Sequence, residues 1–285
     1  MTEYIEDINN VSGFTKVKWF IKRLLRPIFL MFYIPWLRWE TFVYNVRCRK
    51  GADTAHQGRK KNLYFTKASA KHKHLVAKVI EKFGHEDFDY IIVVWDGSRF
   101  EEDIFKRCRI IYEGGLNFKF IKKYLTPDVV EQYRYLFFWD DDIDIGTFDC
   151  KNFLDIFERN NLQLAQPSLT PESYFTFQLT LKNPNQRVGR YTDFVEVMVP
   201  VMPSDYWKRY WEMIEESYNH WGMGYDSYVR SVCKLKNMGI VDQESVTHVK
   251  PVVGETPERR GGYERLKHKF NRYMLAKIVS YGSLR

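Results

Sequence analysis

Tyr135-Leu136-Phe137-Phe138-Trp139-Asp140-Asp141-Asp142-Ile143-Asp144-Ile145 is the stretch that decides how this chain is read. Five apolar residues in succession, aromatic throughout, leave no room for helical periodicity and predict a strand buried on both faces of a sheet. The strand stops at four carboxylates within five residues. Carboxylates this close repel one another and resist joint desolvation, so they call for a countercharge, and a divalent cation is the natural one. In open α/β sheets the loops at strand carboxyl ends splay apart and leave a crevice for ligands. Asp140 and Asp142, two residues apart, point the same way at a strand end, with Asp141 opposite. The competing reading of the same residues is a solvated acidic turn.

Length and composition bound the rest. The chain has 285 residues, enough for one large domain or two small ones, and 17% of them are aromatic. Aromatic rings serve buried sheets, and they also cover the apolar faces of sugars. The formal charge of +8 fits an anionic membrane surface or an anionic small substrate. Nucleic acid fits poorly, because the positive charge lies in the N-terminal third and the C-terminal tail while the middle is acidic. The four cysteines, Cys48, Cys108, Cys150 and Cys233, form no CxxC spacing and read as free thiols in a reducing compartment.

Residues 1–15 are polar and read as loosely ordered. Lys16 to Arg49 then combines basic residues with the uncharged run Pro27 to Leu37. Eleven residues are too few to span a bilayer, which needs about 20, and no cleavage site for a secretory signal follows. The stretch is either a helical arm packed on the domain or an interfacial helix with Trp19, Phe20, Phe29, Phe32 and Trp36 among headgroups. Lys50 to Lys61 is a linker. The resulting division is 1–61 arm and linker, 62–254 catalytic domain and 255–285 basic tail.

Asn62–Thr66, Tyr90–Trp95 and Arg109–Tyr112 read as further strands, with helices over Ser69–Phe83 and Asn117–Tyr124 and another opened by Thr126-Pro127-Asp128. Strands alternating with helices predict an α/β fold: a three-layer α/β/α sandwich with a central, mostly parallel sheet. The strand-end loops then line one crevice with Thr66, Lys67, Asp96, Gly97, Gly114, Gly115 and Asp140 to Asp142. Lys122, on the helix after the Gly-Gly pair, is within reach of a diphosphate, though a solvated helix face explains Lys119, Lys122 and Lys123 as well. Neither GxGxxG nor GxxxxGK[ST] occurs, so the usual phosphate cradles are missing.

After the carboxylates, Cys150–Asn160 reads as a helix and Leu162–Pro167 as extended. Thr170–Asp193, with Arg187 and Arg190, reads as a mobile substrate loop. Phe194–Val201 reads as an apolar strand, and its Glu196 is costly to bury unless it meets a cation or a ligand hydroxyl. Asp205–Ser217 is a helix, and His220-Trp221-Gly222-Met223-Gly224-Tyr225-Asp226 is a turn whose last residue suits a helix N-cap. Gly239–Ser245 and Val246–Val249 read as a strand pair ending at His248, either structural or a neutral metal ligand.

The ordered set Trp139-Asp140-Asp141-Asp142, Phe194-Val195-Glu196-Val197-Met198, His220 to Asp226 and Val241-Asp242-Gln243-Glu244-Ser245-Val246-Thr247-His248 resembles a family of GT-A-type glycosyltransferases. That family is widespread in plants, known chiefly as a domain of unknown function, with relatives in large viruses of green algae. The resemblance runs from about Asn62 to Gly254. It implies that Asp140, Asp142 and His248 hold Mn²⁺ or Mg²⁺ and that Asp226 is the base of an inverting reaction. In that reading Glu196 joins Asp226 in catalysis by holding acceptor or donor hydroxyls, Trp221 or Tyr225 stacks on the acceptor sugar, and the crevice residues Thr66, Lys67, Asp96, Gly97, Gly114, Lys122 and Asp141 meet the donor. The implied donor is a UDP-sugar, UDP-xylose first, and the implied acceptor a glycan hydroxyl. Plant members usually begin with a membrane-spanning anchor, whereas this chain has a short aromatic arm. That difference points to a cytoplasmic enzyme with peripheral membrane contact rather than a Golgi one, and the small size and arm suit an algal-virus enzyme acting on a capsid glycan. The alternatives are a metal-dependent phosphohydrolase or nucleotidyltransferase, and a non-catalytic glycan- or membrane-binding protein.

Overall fold

The structure is a computed structural model and describes residues 13–48, 61–115, 117–215, 224–251, 257–270 and 275–285. The decisive strand, β4 (Tyr135–Phe138), is buried along its whole length. It lies parallel to β1 (Asn62–Ala68) and antiparallel to β8 (Val201–Pro203). β2 (Phe88–Val94) and β3 (Arg109–Tyr112) extend the parallel half outward from β1. On the far side of β8, β6 (Leu164–Leu169) pairs in parallel with β9 (Met238–His248). The antiparallel strands β7 (Gly189–Thr192) and β10 (Ser280–Ser283) finish that edge. The order is β10-β7-β9-β6-β8-β4-β1-β2-β3, and the two-residue β5 (Ile143–Asp144) pairs with β9 off this path.

Side-chain alternation builds the layers. Tyr135, Phe137 and Trp139 face one core with Val76, Val79 and Phe83 of α2 (Lys73–Phe83) and Phe153 and Ile156 of α5 (Cys150–Arg159). Leu136 and Phe138 face the other core, with Phe118 and Ile121 of α3 (Asn117–Tyr124), Trp207 and Tyr210 of α6 (Ser204–Met213), and Tyr228 and Val229 of α7 (Tyr225–Val232). A strand covered on both faces can afford no polar residue until it leaves the sheet, which is why the carboxylates begin where β4 ends. The short α4 (Pro127–Val130) starts at Thr126 with proline in its first turn, as the sequence predicts. None of the four cysteines is in a disulfide.

Four expectations are corrected. Phe194–Pro200 is not a strand; it is a buried irregular segment that leads into β8. Its backbone serves β4 without a regular ladder, since Asp140 N–H donates to Met198 O at 2.9 Å and Phe138 N–H to Pro200 O at 3.4 Å. The expected pair Gly239–Ser245 and Val246–Val249 is one 11-residue strand, Met238–His248, and its register against β6 shifts between Pro167 and Ser168. The expected mobile loop 170–193 contains β7, and its Arg190 is buried against Asp242 at 3.2 Å. Residues 255–285 are not a bare tail, because they supply α8 (Pro257–Lys269) and β10.

The N-terminal arm is α1 (Gly13–Cys48), a 36-residue helix that continues through Pro27 and Pro35 and includes residues 13–15, read from the sequence as loose. Residues 1–12 and the linker residues 49–60 lie outside the described residues. The helix is docked by polar contacts far along the chain. Tyr33 Oη–H donates to Asp193 Oδ2 at 3.1 Å and Thr41 Oγ1–H to Tyr281 Oη at 3.1 Å. Glu40 pairs with Arg230 at 3.0 Å and with Lys236 at 2.7 Å. Among the described residues no helix is long and apolar enough to cross a membrane.

Candidate active site

The end of β4 meets the end of β9 because β5 folds back antiparallel, with Ile143 opposite His248 and Asp144 opposite Thr247. Val249 N–H donates to Asp142 O at 3.0 Å, which fixes that register. His248 Nε2 consequently lies 3.4 Å from Asp142 Oδ1, with both side chains buried. The other ring nitrogen, Nδ1, is 2.7 Å from Tyr174 O. A carbonyl only accepts, so Nδ1 carries a proton, and Nε2 faces Asp142, where it would offer its lone pair to a cation once deprotonated. Burial opposes ionisation of both groups, yet the pairing holds Asp142 below the usual carboxylate range and raises His248.

Asp141 faces the loop that follows β1. Ser69 N–H and Oγ–H both donate to its Oδ2 at 3.0 Å, and His72 Nδ1 lies 3.3 Å from its Oδ1. Burial, then the Asp142 charge, raises Asp141, and the same two causes push Asp140 well above its ordinary value. One ligand atom each from His72, Asp141 and Asp142 falls within 4.8 Å of the others. A buried set of two carboxylates and an imidazole, with Asp142 Oδ1 making no hydrogen bond of good geometry, has the donor chemistry of a divalent-cation site. His248 borders the same carboxylates from the opposite side.

A second carboxylate pair lies beside the first. Glu196 is held by its own N–H, which donates to Gln166 Oε1 at 2.7 Å, and its Oε2 is buried without a partner. Burial, then the charge of Asp226, pushes its carboxyl up to about 8. Asp226 sits in the first turn of α7 behind Gly224, whose φ of +94° is the left-handed conformation glycine tolerates. It therefore does not cap the helix; its Oδ1 accepts from Ser227 N–H at 2.7 Å, and burial pushes it up to about 7. Glu196 and Asp226 interact with each other, and Glu196 in turn raises Asp140.

The donor-side residues divide. Thr66 and Lys67 occupy the end of β1, and Lys67 lies over the Trp95 ring at 4.4 Å, its ammonium pushed down to about 8 by burial. Asp96 spends Oδ2 on Ala70 N–H at 2.9 Å and Oδ1 on Ser98, so it ties two strand-end loops together. Gly97 has φ +79°, while a Cβ at Gly114 would meet nothing nearer than Trp95 O at 3.8 Å, so close approach does not require glycine there. Lys122 points away from the crevice: its Nζ donates to Trp211 O at 3.0 Å and lies 3.5 Å over that ring. Tyr225 is also withdrawn from acceptor stacking, because its buried ring is stacked on Phe118 at 5.0 Å. Trp221 lies outside the described residues. Sequence reasoning passed over Ser69, His72, Gln166 and Tyr174. The first two follow β1 directly, so the strand-end rule reaches them if the lining of that loop is extended by a few residues.

A family profile described only as a protein of unknown function, DUF707, matches residues 38–193 and 190–273. The chain belongs to the DUF707 family. No curated protein sequence matches it. Among solved structures, this DUF707 chain is similar to GalNAc-T7 with UDP, GalNAc and Mn²⁺, at TM-score 0.52 and 8% identity over 75% of this chain and 49% of that one. It is also similar to S. aureus TarS residues 1–349 in complex with UDP-GlcNAc, at TM-score 0.47 and 10% identity over 68% and 60% of the two chains. The chain thus spans about half the length of these solved chains. The fold is α/β of the GT-A type, a mixed sheet with a parallel core and flanking helices, as the sequence predicts.

Proposed function

We propose that this DUF707 protein is a metal-dependent glycosyltransferase that moves a sugar from a UDP-sugar to a glycan hydroxyl with inversion. The observation that carries this reading is the adjacency, on a GT-A fold, of an Asp142 held low and a Glu196–Asp226 pair held high. Asp142 is held ionised by an imidazole, and Glu196 with Asp226 is held near neutrality by burial. Asp140, Asp142 and His248, with Asp141 and His72 on the flank, would hold Mn²⁺ or Mg²⁺. The mixed carboxylate and imidazole set favours Mn²⁺. When bound, the cation supplies Lewis-acid stabilisation of the negative charge that grows on the departing diphosphate.

The chain's own residues account for the rest. Asp226, poised at about 7, accepts the proton of the acceptor hydroxyl as that oxygen attacks. Glu196, protonated at neutral pH, donates to a sugar oxygen and keeps a second negative charge away from Asp226. Lys67 and Trp95 offer a cation and a half-exposed ring at the donor side of the crevice, and Trp221 is our remaining candidate for stacking on the acceptor. We take UDP-xylose as the donor on the family resemblance, with a viral enzyme in the host cytoplasm as its setting and the arm as the element that would hold it at a membrane. The test is UDP release from a panel of UDP-sugars, with Mn²⁺ and with EDTA. Release from one donor, abolished by EDTA and by Asp142→Ala, is the expected result. Phosphate or pyrophosphate release without a sugar acceptor would move the site to phosphohydrolase chemistry.

A further inference from the structure

Helix α1 carries a second face that the domain does not use. At 100° per residue, positions 26, 30, 33, 37, 41 and 44 form the stripe that faces the sheet edge, and Leu37 and Thr41 are buried there. On the opposite side, positions 17, 21, 24, 28, 32, 35, 39, 42 and 46 fall within about 40° of one line along the helix. Each of them is apolar, and the exposed ones are large: Leu24 is 63%, Phe32 67%, Trp39 65% and Phe42 60% exposed. Such a stripe, running nearly the whole helix, exceeds the scattered apolar exposure normal for a soluble surface.

The shoulders of the stripe are basic. Lys18, Lys22 and Arg47 flank it on one side and Arg38 on the other, each exposed. The helix contains seven basic residues against one acidic, and that acid, Glu40, is already paired with Arg230 and Lys236. Two copies of the helix packed stripe to stripe would bring these like charges together, whereas an anionic lipid surface complements them. The docked inner face also rules out insertion deeper than the outer half of the helix, which is the depth an in-plane helix reaches among headgroups.

We propose that α1 lies in the plane of an anionic bilayer surface, its apolar stripe among the acyl boundary and its basic shoulders on the headgroups, while its inner face stays docked on the domain. The proposal does not depend on the transfer reaction. The experiment is co-sedimentation of the full chain with vesicles of phosphatidylcholine alone and with about 30% phosphatidylserine. Binding at least about tenfold tighter to the anionic vesicles, weakened by salt, is expected. Leu24→Glu/Phe32→Glu/Trp39→Glu should lower that binding by about 20-fold or more with an unchanged melting temperature, because the three side chains face away from the domain. Lys18→Gln/Lys22→Gln should lower it about fivefold per residue on anionic vesicles only. No association with either vesicle, or undiminished binding by the triple variant, overturns the proposal. So does a dimer in light scattering that the triple variant returns to monomer, which would give the stripe to a second copy.

Discussion

The carboxylates of the crevice are built from the same chemistry and end in different states: His248 holds Asp142 low, whereas burial raises Asp140, Asp141, Glu196 and Asp226. At the end of β4, Asp141 and Asp142 each have a histidine within 3.4 Å, and Asp141 also accepts from Ser69. Across the crevice, Glu196 and Asp226 are just as buried, have no cationic side chain in an ion pair with them among the described residues, and are pushed up to about 8 and about 7. The contrast between Asp142 and its neighbours shows that burial alone does not set the state of a carboxylate; a close countercharge such as His248 can outweigh it. The first group is kept able to hold a cation, and the second is kept able to gain and lose a proton.

The largest expected effect comes from breaking the first group. Asp142→Ala should lower UDP release by about 10³-fold, since it removes a cation ligand and strands His248. A loss under tenfold would place the cation elsewhere. Breaking the second group should cost somewhat less: Asp226→Asn should lower turnover by about 10²-fold or more with donor affinity nearly unchanged. The same group sets the pH dependence. Turnover should rise with pH up to about 7 as Asp226 ionises and then level, and a profile flat from pH 5 to 8 would remove Asp226 from the base role.

The two histidines sharpen the comparison. His248→Ala and His72→Ala should each weaken Mn²⁺ binding, measured by titration calorimetry, and the ligand should cost about 10- to 100-fold while its neighbour costs less. The smallest effect is on stability. A carboxyl raised on folding binds more protons in the native state, so Glu196 takes stability away as pH climbs from the unfolded value near 4 through about 8. Glu196→Gln should therefore raise the melting temperature of the metal-free protein at pH 8, by about 3 °C or more, and leave it nearly unchanged at pH 4. Equal shifts at both values would mean that the charge is not the cause.

Much of this was legible from residues. β2 and β4 announce themselves because a strand covered on both faces needs an unbroken apolar run, and Asp140 to Asp142 mark where the cover ends. Phe194–Val201 shows the limit of that signal, since a buried irregular segment needs the same apolar residues as a buried strand. Pro200, which cannot donate to a ladder, is the clue that separates them. Arg190 read as part of a mobile substrate loop because its partner Asp242 is distant in sequence and adjacent only in the sheet. His72 was hidden among Lys71, Lys73 and His74, which together look like a hydrated helix start. Lys122 and Tyr225 have the right types for a sugar-nucleotide site and the wrong directions, and direction is fixed by α6 and by Phe118, which no local pattern reveals.

The docking of α1 has a further consequence for how the protein is made. Its inner face is satisfied by Asp193, Arg230, Lys236 and Tyr281, every one of them translated well after the helix itself. During vectorial synthesis α1 therefore emerges with neither side covered and must wait for the distal half of the chain before it can settle. Whatever shields its outward stripe in that interval, a chaperone or a lipid surface, meets the nascent chain before the catalytic crevice has formed.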